Sequence, residues 1–169
     1  MKNSTKAVVR GALIAAIYAA LTYVAVAVGL AYGPIQFRFS EALTILPVFT
    51  PAAIPGLTIG CFLSNLASPY PLDLLCGTAA TLLAAVFTRL LRNVRPFGLP
   101  ILAPLPPVLF NALIVGGEIA FTADAGFSLP AFALAALEVG LGELVVCYIL
   151  GLTLYLAIEK SGAKRFMFS

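Results

Sequence analysis

Residues 41–66 read EALTILPVFTPAAIPGLTIGCFLSNL, an apolar stretch interrupted by Pro47, Pro51 and Pro55. Taken as one helix, it is long enough to cross a bilayer, which needs ~20 apolar residues over ~30 Å of hydrocarbon. The prolines argue against one straight helix, because each lacks a backbone donor and its ring clashes with the preceding turn. Read as two short or re-entrant pieces turning near residues 50–56 (TPAAIPG), the stretch contributes two crossings rather than one. Neither piece reaches ~20 apolar residues, and broken backbone at membrane depth is tolerated only where protein or a cavity surrounds it. The region is therefore expected to line something.

Working outward, residues 11–30 (GALIAAIYAALTYVAVAVGL) form an uncharged run of spanning length. Lys2, Lys6 and Arg10 precede it as they would a signal peptide, but the run is long and further apolar segments fill the rest of the chain. All of the 10 Lys and Arg residues except Arg38 fall in three clusters: Lys2, Lys6 and Arg10; Arg89, Arg92 and Arg95; Lys160, Lys164 and Arg165. The positive-inside rule places all three clusters in the cytoplasm, so an even number of crossings separates each from the next. Residues 122–126 (TADAG) make an external turn between the last two spans. Splitting residues 41–66 restores parity in the first half. The expected fold is an all-α integral membrane protein, a single membrane domain of six transmembrane helices with both termini cytoplasmic. Its spans are approximately 8–30, 41–50, 54–68, 72–90, 105–122 and 129–158.

Composition agrees with that solvent. Over 169 residues the chain is 62% hydrophobic and 10% charged, with a mean hydropathy of +1.06, far from a soluble domain. The net charge of +3 reads as a topology signal, not as nucleic-acid binding. Cys61, Cys76 and Cys147 sit in apolar stretches without CxxC spacing, and the chain has no His, so they read as small core residues and no metal or other cofactor is expected. Without an imidazole base or an activated nucleophile, no enzyme constellation emerges. A GxxxxGK[ST] phosphate loop is also missing from the sequence, so active transport would draw its energy from elsewhere.

Several residues stand out. In the first span Ala12, Ala16 and Ala20 make one small-residue face and Ala15 and Ala19 an overlapping one, suited to packing within the chain or against a partner helix. Residues 33–41 (GPIQFRFSE) form a polar and aromatic lid over the external end of that span. Within it Arg38 and Glu41 have the spacing of a pair on one helical face, and Ser40 that of a cap. Asn111 and Glu118 are two helical turns apart and face the same way. Ala136, Gly140, Glu143, Cys147 and Gly151 follow one small-residue face of the last span, with Glu138 about 140° round the helix from Glu143. Acids in the hydrocarbon layer cost several kcal/mol and usually face an interior. The plainer reading for Glu118 and Glu138 is contact with interfacial water.

Residues 36–47 (QFRFSEALTILP), 50–57 (TPAAIPGL), 103–107 (APLPP), 111–116 (NALIVG) and 142–144 (GEL) together resemble the QueT family. QueT proteins are queuosine-precursor transporters, substrate-binding (S) components of energy-coupling factor (ECF) transporters. The resemblance covers nearly the whole chain. It implies the same bundle of six helices with both ends cytoplasmic, in the plasma membrane. It also implies an energising module as partner, namely a membrane coupling subunit and two ATPases, with Ala12, Ala16 and Ala20 docking on the coupling subunit. The implied ligand is a 7-deazaguanine such as 7-aminomethyl-7-deazaguanine, entering from outside beneath the loop after the first helix. Gln36, Phe37, Arg38 and Glu41 fit that roof. A guanine-type edge offers two adjacent N–H donors to one carboxylate, an O6 acceptor to an amide and a flat face to an aromatic ring. Glu143 or Glu118, Asn111 and Phe37 match those needs, and a second acid, Glu138 among the choices, would meet an ammonium arm. The rival readings are another vitamin or nucleobase on the same architecture, and a self-sufficient channel or secondary transporter.

Overall fold

The computed structural model describes residues 2–32 and 35–162; Lys164 and Arg165 of the third basic cluster, and Gly33 and Pro34 of the lid, lie outside the described residues. Every regular element there is helical. Helix α1 is Lys2–Ala27, and a 3-10 rod, Phe39–Val48, follows it. Next come α2, Ala53–Asn65, and α3, Asp73–Leu90. Helix α4 is Leu105–Thr122 and α5 is Leu129–Lys160. The stretches Ser4–Ala27, Asp73–Asn93, Leu105–Thr122 and Leu129–Lys160 are long and apolar enough to cross a membrane, while the rod and α2 are shorter apolar helices. Large apolar side chains such as Leu13, Ile17, Leu134 and Leu137 are exposed on the outside of the bundle, as expected where the surroundings are lipid.

The chain turns between the rod and α2 at residues 49–52, and the prolines account for it. Pro51 has no N–H to give the carbonyls of Pro47 and Val48. Arg89, reaching across from α3, supplies that donor: its Nη1 lies 2.9 Å from the Pro47 oxygen and 3.2 Å from the Val48 oxygen. A residue expected to mark only the cytoplasmic side thus also closes the end of the rod. Pro55 sits in the first turn of α2, where the missing N–H is an orphan in any case.

The rod is central. Every residue from Ser40 to Val48 is buried, packed against α1, α3 and the second half of α5. Leu43 and Leu46 join Ile14, Tyr18, Leu57 and Ala85 in one apolar cluster, and Ile45 and Val48 join Ala103 and Tyr155 in another. Winding as a 3-10 helix stretches ten residues to ~20 Å, against ~15 Å for an α-helix. Runs of that length are uncommon, because the hydrogen bonds are poorer, so the surrounding helices must hold the rod in shape.

Those helices approach one another closely at small residues. A side-chain carbon added to Gly56 would stand 2.7 Å from the Gly11 oxygen, and one on Gly60 would stand 2.9 Å from the Ala15 oxygen. On the other side Gly116 of α4 lies against the Ala136 backbone of α5, and Gly140 of α5 lies against Ala112. Two stretches, Asn111–Val115 in α4 and Val145–Gly151 in α5, wind as π-helix, a local widening that often accompanies functional sites.

Candidate functional site

Where the lid enters the rod, polar side chains replace the apolar core. Glu41, Asp73, Glu118 and Glu143 are buried, with exposures of 1%, 2%, 6% and 6%, against a single buried basic side chain, Arg38, among the described residues. The sequence order explains how they meet. The lid runs from the end of α1 back over the bundle, so that Arg38 and Glu41 arrive at the top of the rod between α1, α3 and α5. The backbone at Gly142 is what lets it lie there, since a side-chain carbon at that position would collide with the Gln36 carbonyl.

Arg38 does not pair with Glu41, as their spacing suggested. Its Nη2 donates to Asp73 Oδ2 at 2.8 Å, its Nη1 lies 3.5 Å from Asn65 Oδ1, and its guanidinium carbon sits 5.1 Å from the Tyr32 ring centre. The physical reason is that the chain around residue 38 is extended and not yet helical, which turns the side chain away from the rod and toward the start of α3. Burial alone would make Arg38 easier to deprotonate, but neighbouring acidic groups, Asp73 first, more than offset this and keep it firmly charged. Burial raises the Tyr32 phenol above its ordinary value. Asn65 completes the corner by donating to the Asp73 carbonyl at 2.8 Å.

Glu41 belongs to a second corner. The Tyr18 hydroxyl of α1 donates to its Oε1, while Thr44 bonds the Glu41 carbonyl at 2.6 Å. Ser40 is not a helix cap; its hydroxyl accepts from Thr22 at 2.7 Å and so ties the rod to α1. From the facing side, Cys147 of α5 donates to Glu143 Oε2 at 3.3 Å and lies 3.7 Å from both the Thr44 hydroxyl and the Glu41 carbonyl. Glu41 and Glu143 thus flank one thiol. Asn111 opens the π-helical stretch of α4, and its side-chain amide donates to the Pro107 carbonyl at 3.1 Å. Glu118 lies one stretch further along α4. Because π-helix intervenes, the two-turn spacing of Asn111 and Glu118 does not follow the uniform 3.6-residue period assumed for it. Phe37 and Glu138 are half-buried, and Gln36 is buried.

The arrangement gathers carboxylates faster than it gathers donors for them. Glu41 Oε2, Asp73 Oδ1 and both oxygens of Glu118 are buried without a hydrogen-bond partner among the described residues. Buried acceptors in this state cost roughly 1–3 kcal/mol each, more when charged, so this polar chamber of buried side chains is short of donors. Asp73, Asn65 and Tyr18 were not singled out from the sequence, and Cys147 was read only as a small core residue on the Glu143 face. One signal pointed to Asp73: Arg38 stands apart from the other basic residues and needs a buried acid, and Asp73 opens the span expected at 72–90.

The chain is thus a multi-pass helical membrane protein with buried acids in its interior and interruptions in three of its helical segments, an arrangement tolerated at membrane depth only where protein or a cavity surrounds it. The model of the QueT transporter family matches residues 8–160, and the chain belongs to that family. A protein of Lactococcus lactis subsp. cremoris (strain MG1363) named "Queuosine precursor transporter QueT" is 40% identical over 81 residues, 48% of each chain. The chain thus spans about half the length of that relative. No solved structure matches significantly.

Proposed function

We propose that this chain is the substrate-binding S component of an ECF-type ABC transporter. It captures a queuosine precursor, a 7-deazaguanine such as 7-aminomethyl-7-deazaguanine, from outside the cell for ATP-driven uptake through a partner energising module. The observation that carries the reading is the excess of buried carboxylates over buried bases, with acceptors left open. A 7-deazaguanine is a flat, donor-rich heterocycle, and its donors fit that deficit. Family membership and the relative's name supply the substrate class.

In this reading the rod and α2 complete a six-span bundle in the plasma membrane, with both termini cytoplasmic. Support comes from the basic clusters, and from the rod's burial on every side, which is where broken backbone is permitted. Glu143 accepts the two adjacent N–H groups of the guanine-type edge, Asn111 serves O6, and Phe37 stacks on the ring. Gln36, Arg38 and Glu41 close the roof, and Glu138 stands near the entrance. Ala12, Ala16 and Ala20 are exposed on α1, while Ala15 is buried on the side facing α2. The exposed set is free to meet the coupling subunit, which with two ATPases provides the motor.

Titrating the purified protein with 7-aminomethyl-7-deazaguanine and with common vitamins tests the assignment. Binding of the deazaguanine alone is expected, and a vitamin bound in its place would overturn it. Glu143→Gln should weaken the deazaguanine by tenfold or more, about 1.4 kcal/mol, while leaving the fold intact. Uptake into vesicles that persists without the ATPase module would replace the S-component reading with a self-sufficient transporter.

A further inference from the structure

Among the four buried acids, Glu118 has a distinct position. Glu41 has the Tyr18 hydroxyl, Asp73 has Arg38 and Glu143 has the Cys147 thiol. Neither oxygen of Glu118 has a partner among the described residues, although the side chain is only 6% exposed. Contact with interfacial water, the plain sequence explanation for this residue, therefore does not account for it.

The surroundings select a cation. Glu118 lies in the last turns of α4, Gly116–Thr122, where the helix carbonyls present negative partial charge and disfavour a lone carboxylate. Its electrostatic neighbours are Asp73, a second acid, and Arg38. Arg38 is engaged by Asp73 at 2.8 Å and donates to neither oxygen of Glu118. Three residues before Glu118 on the same helix, Val115 packs with Ala80 of α3 and Val139 of α5 in an apolar cluster. A group that settles here must bring positive charge and more than one donor, and it must be small. A primary ammonium has three donors and a compact charge. A multidentate metal is a poorer match, because no group of three or more acidic or thiol side chains with metal-holding geometry occurs among the described residues.

Resting on the S-component reading above, we infer that Glu118 is the specificity determinant for the ligand's arm: it receives a primary ammonium carried on the flat heterocycle, while the heterocycle edge is held by other acids. The site then distinguishes an aminomethyl arm from a neutral one of similar length, because the neutral arm leaves a buried carboxylate unpaired.

The test uses the full-length protein and three probes: 7-aminomethyl-7-deazaguanine, 7-cyano-7-deazaguanine and 7-deazaguanine without an arm. Wild type should bind the amine at least tenfold more tightly than the other two. Glu118→Gln should lose that preference by weakening the amine tenfold or more, with the two neutral ligands bound at least as tightly as by wild type. Their retained binding also shows that the variant is folded. Equal wild-type affinity for amine and nitrile overturns the inference whatever the variant does, and so does an equal loss of all three ligands in Glu118→Gln. Sodium-dependent binding of all three that the variant abolishes assigns the carboxylate to an inorganic cation and equally overturns it. If wild type binds none of the three, it is the deazaguanine reading that fails, a result separable from the others.

Discussion

At the seam between α1 and α2, Gly11, Gly56 and Gly60 bring two backbones together, and the side chains that close over them are small or apolar. At the chamber Gly142 brings α5 against the lid backbone by the same device, but Glu41, Glu143 and the Arg38–Asp73 pair stand around the contact. The difference separates what a membrane bundle needs from what it carries beyond that need. Lipid gives helices no hydrophobic reason to associate, so close packing of small residues holds the seam. The chamber spends stability on buried charge, which packing alone never requires.

The contrast is broken most sharply at Asp73. Asp73→Ala leaves the Arg38 guanidinium buried without its counter-ion, and such losses run to about 3–5 kcal/mol. A steep drop in resistance to unfolding in mixed micelles is the expected outcome. Replacing both partners, with Arg38→Met and Asp73→Leu together, should recover most of that loss, because the unpaired charge and not the missing contact is the cost. A single variant as stable as wild type would mean that water reaches the pair, and the chamber would then be no drier than a loop surface.

Much of this contrast was legible in the sequence. Composition and the apolar runs announce helices in lipid, and Pro47, Pro51 and Pro55 announce that residues 41–66 do not form one straight helix. The acids Glu41, Glu118 and Glu143 were visible because carboxylates in apolar runs are conspicuous. The pairing was not. Spacing suggested Arg38 with Glu41, yet the partner is Asp73, 35 residues away, and a contact between distant segments leaves no local pattern. The 3-10 winding of the rod and the π-helical turns also have no residue signature, since they arise from how neighbouring helices squeeze and stretch the backbone. Arg89 was read only as a topology charge, and its task at the rod's end, reaching the Pro47 and Val48 carbonyls from a distant segment, left no local signal.

A smaller effect compares the two glycine contacts directly. Gly56→Ala inserts a methyl against the Gly11 carbonyl, and Gly142→Ala inserts one against the Gln36 carbonyl. Overpacking of this kind costs typically about 1–3 kcal/mol, so the two variants should lose similar stability in the same unfolding assay. Ligand affinity should separate them. Gly56→Ala keeps wild-type binding because its near neighbours are Gly11 and Ile14 and none of the side chains that hold the acids, whereas Gly142→Ala lifts the lid and weakens the deazaguanine roughly tenfold. Equal affinities for the two would show that the lid at Gln36 takes no part in the site.

The smallest effect on the fold is expected on the face of α1 turned away from the seam. Ala15 and Ala16 are neighbours in sequence, but Ala15 is buried toward α2 and Ala16 is exposed. Ala15→Leu drives a branched side chain into a contact already at backbone distance and should cost about 1–3 kcal/mol. Ala16 is exposed among the described residues, so with Ala16→Leu stability should stay within about 0.5 kcal/mol of wild type and ligand binding should not change. If the exposed alanines are where the coupling subunit docks, the same leucine abolishes co-purification with the energising module and ATP-driven uptake while leaving the isolated protein intact. Uptake at the wild-type rate in Ala16→Leu would reduce this face to lipid-exposed surface and move the partner contact to another side of the bundle.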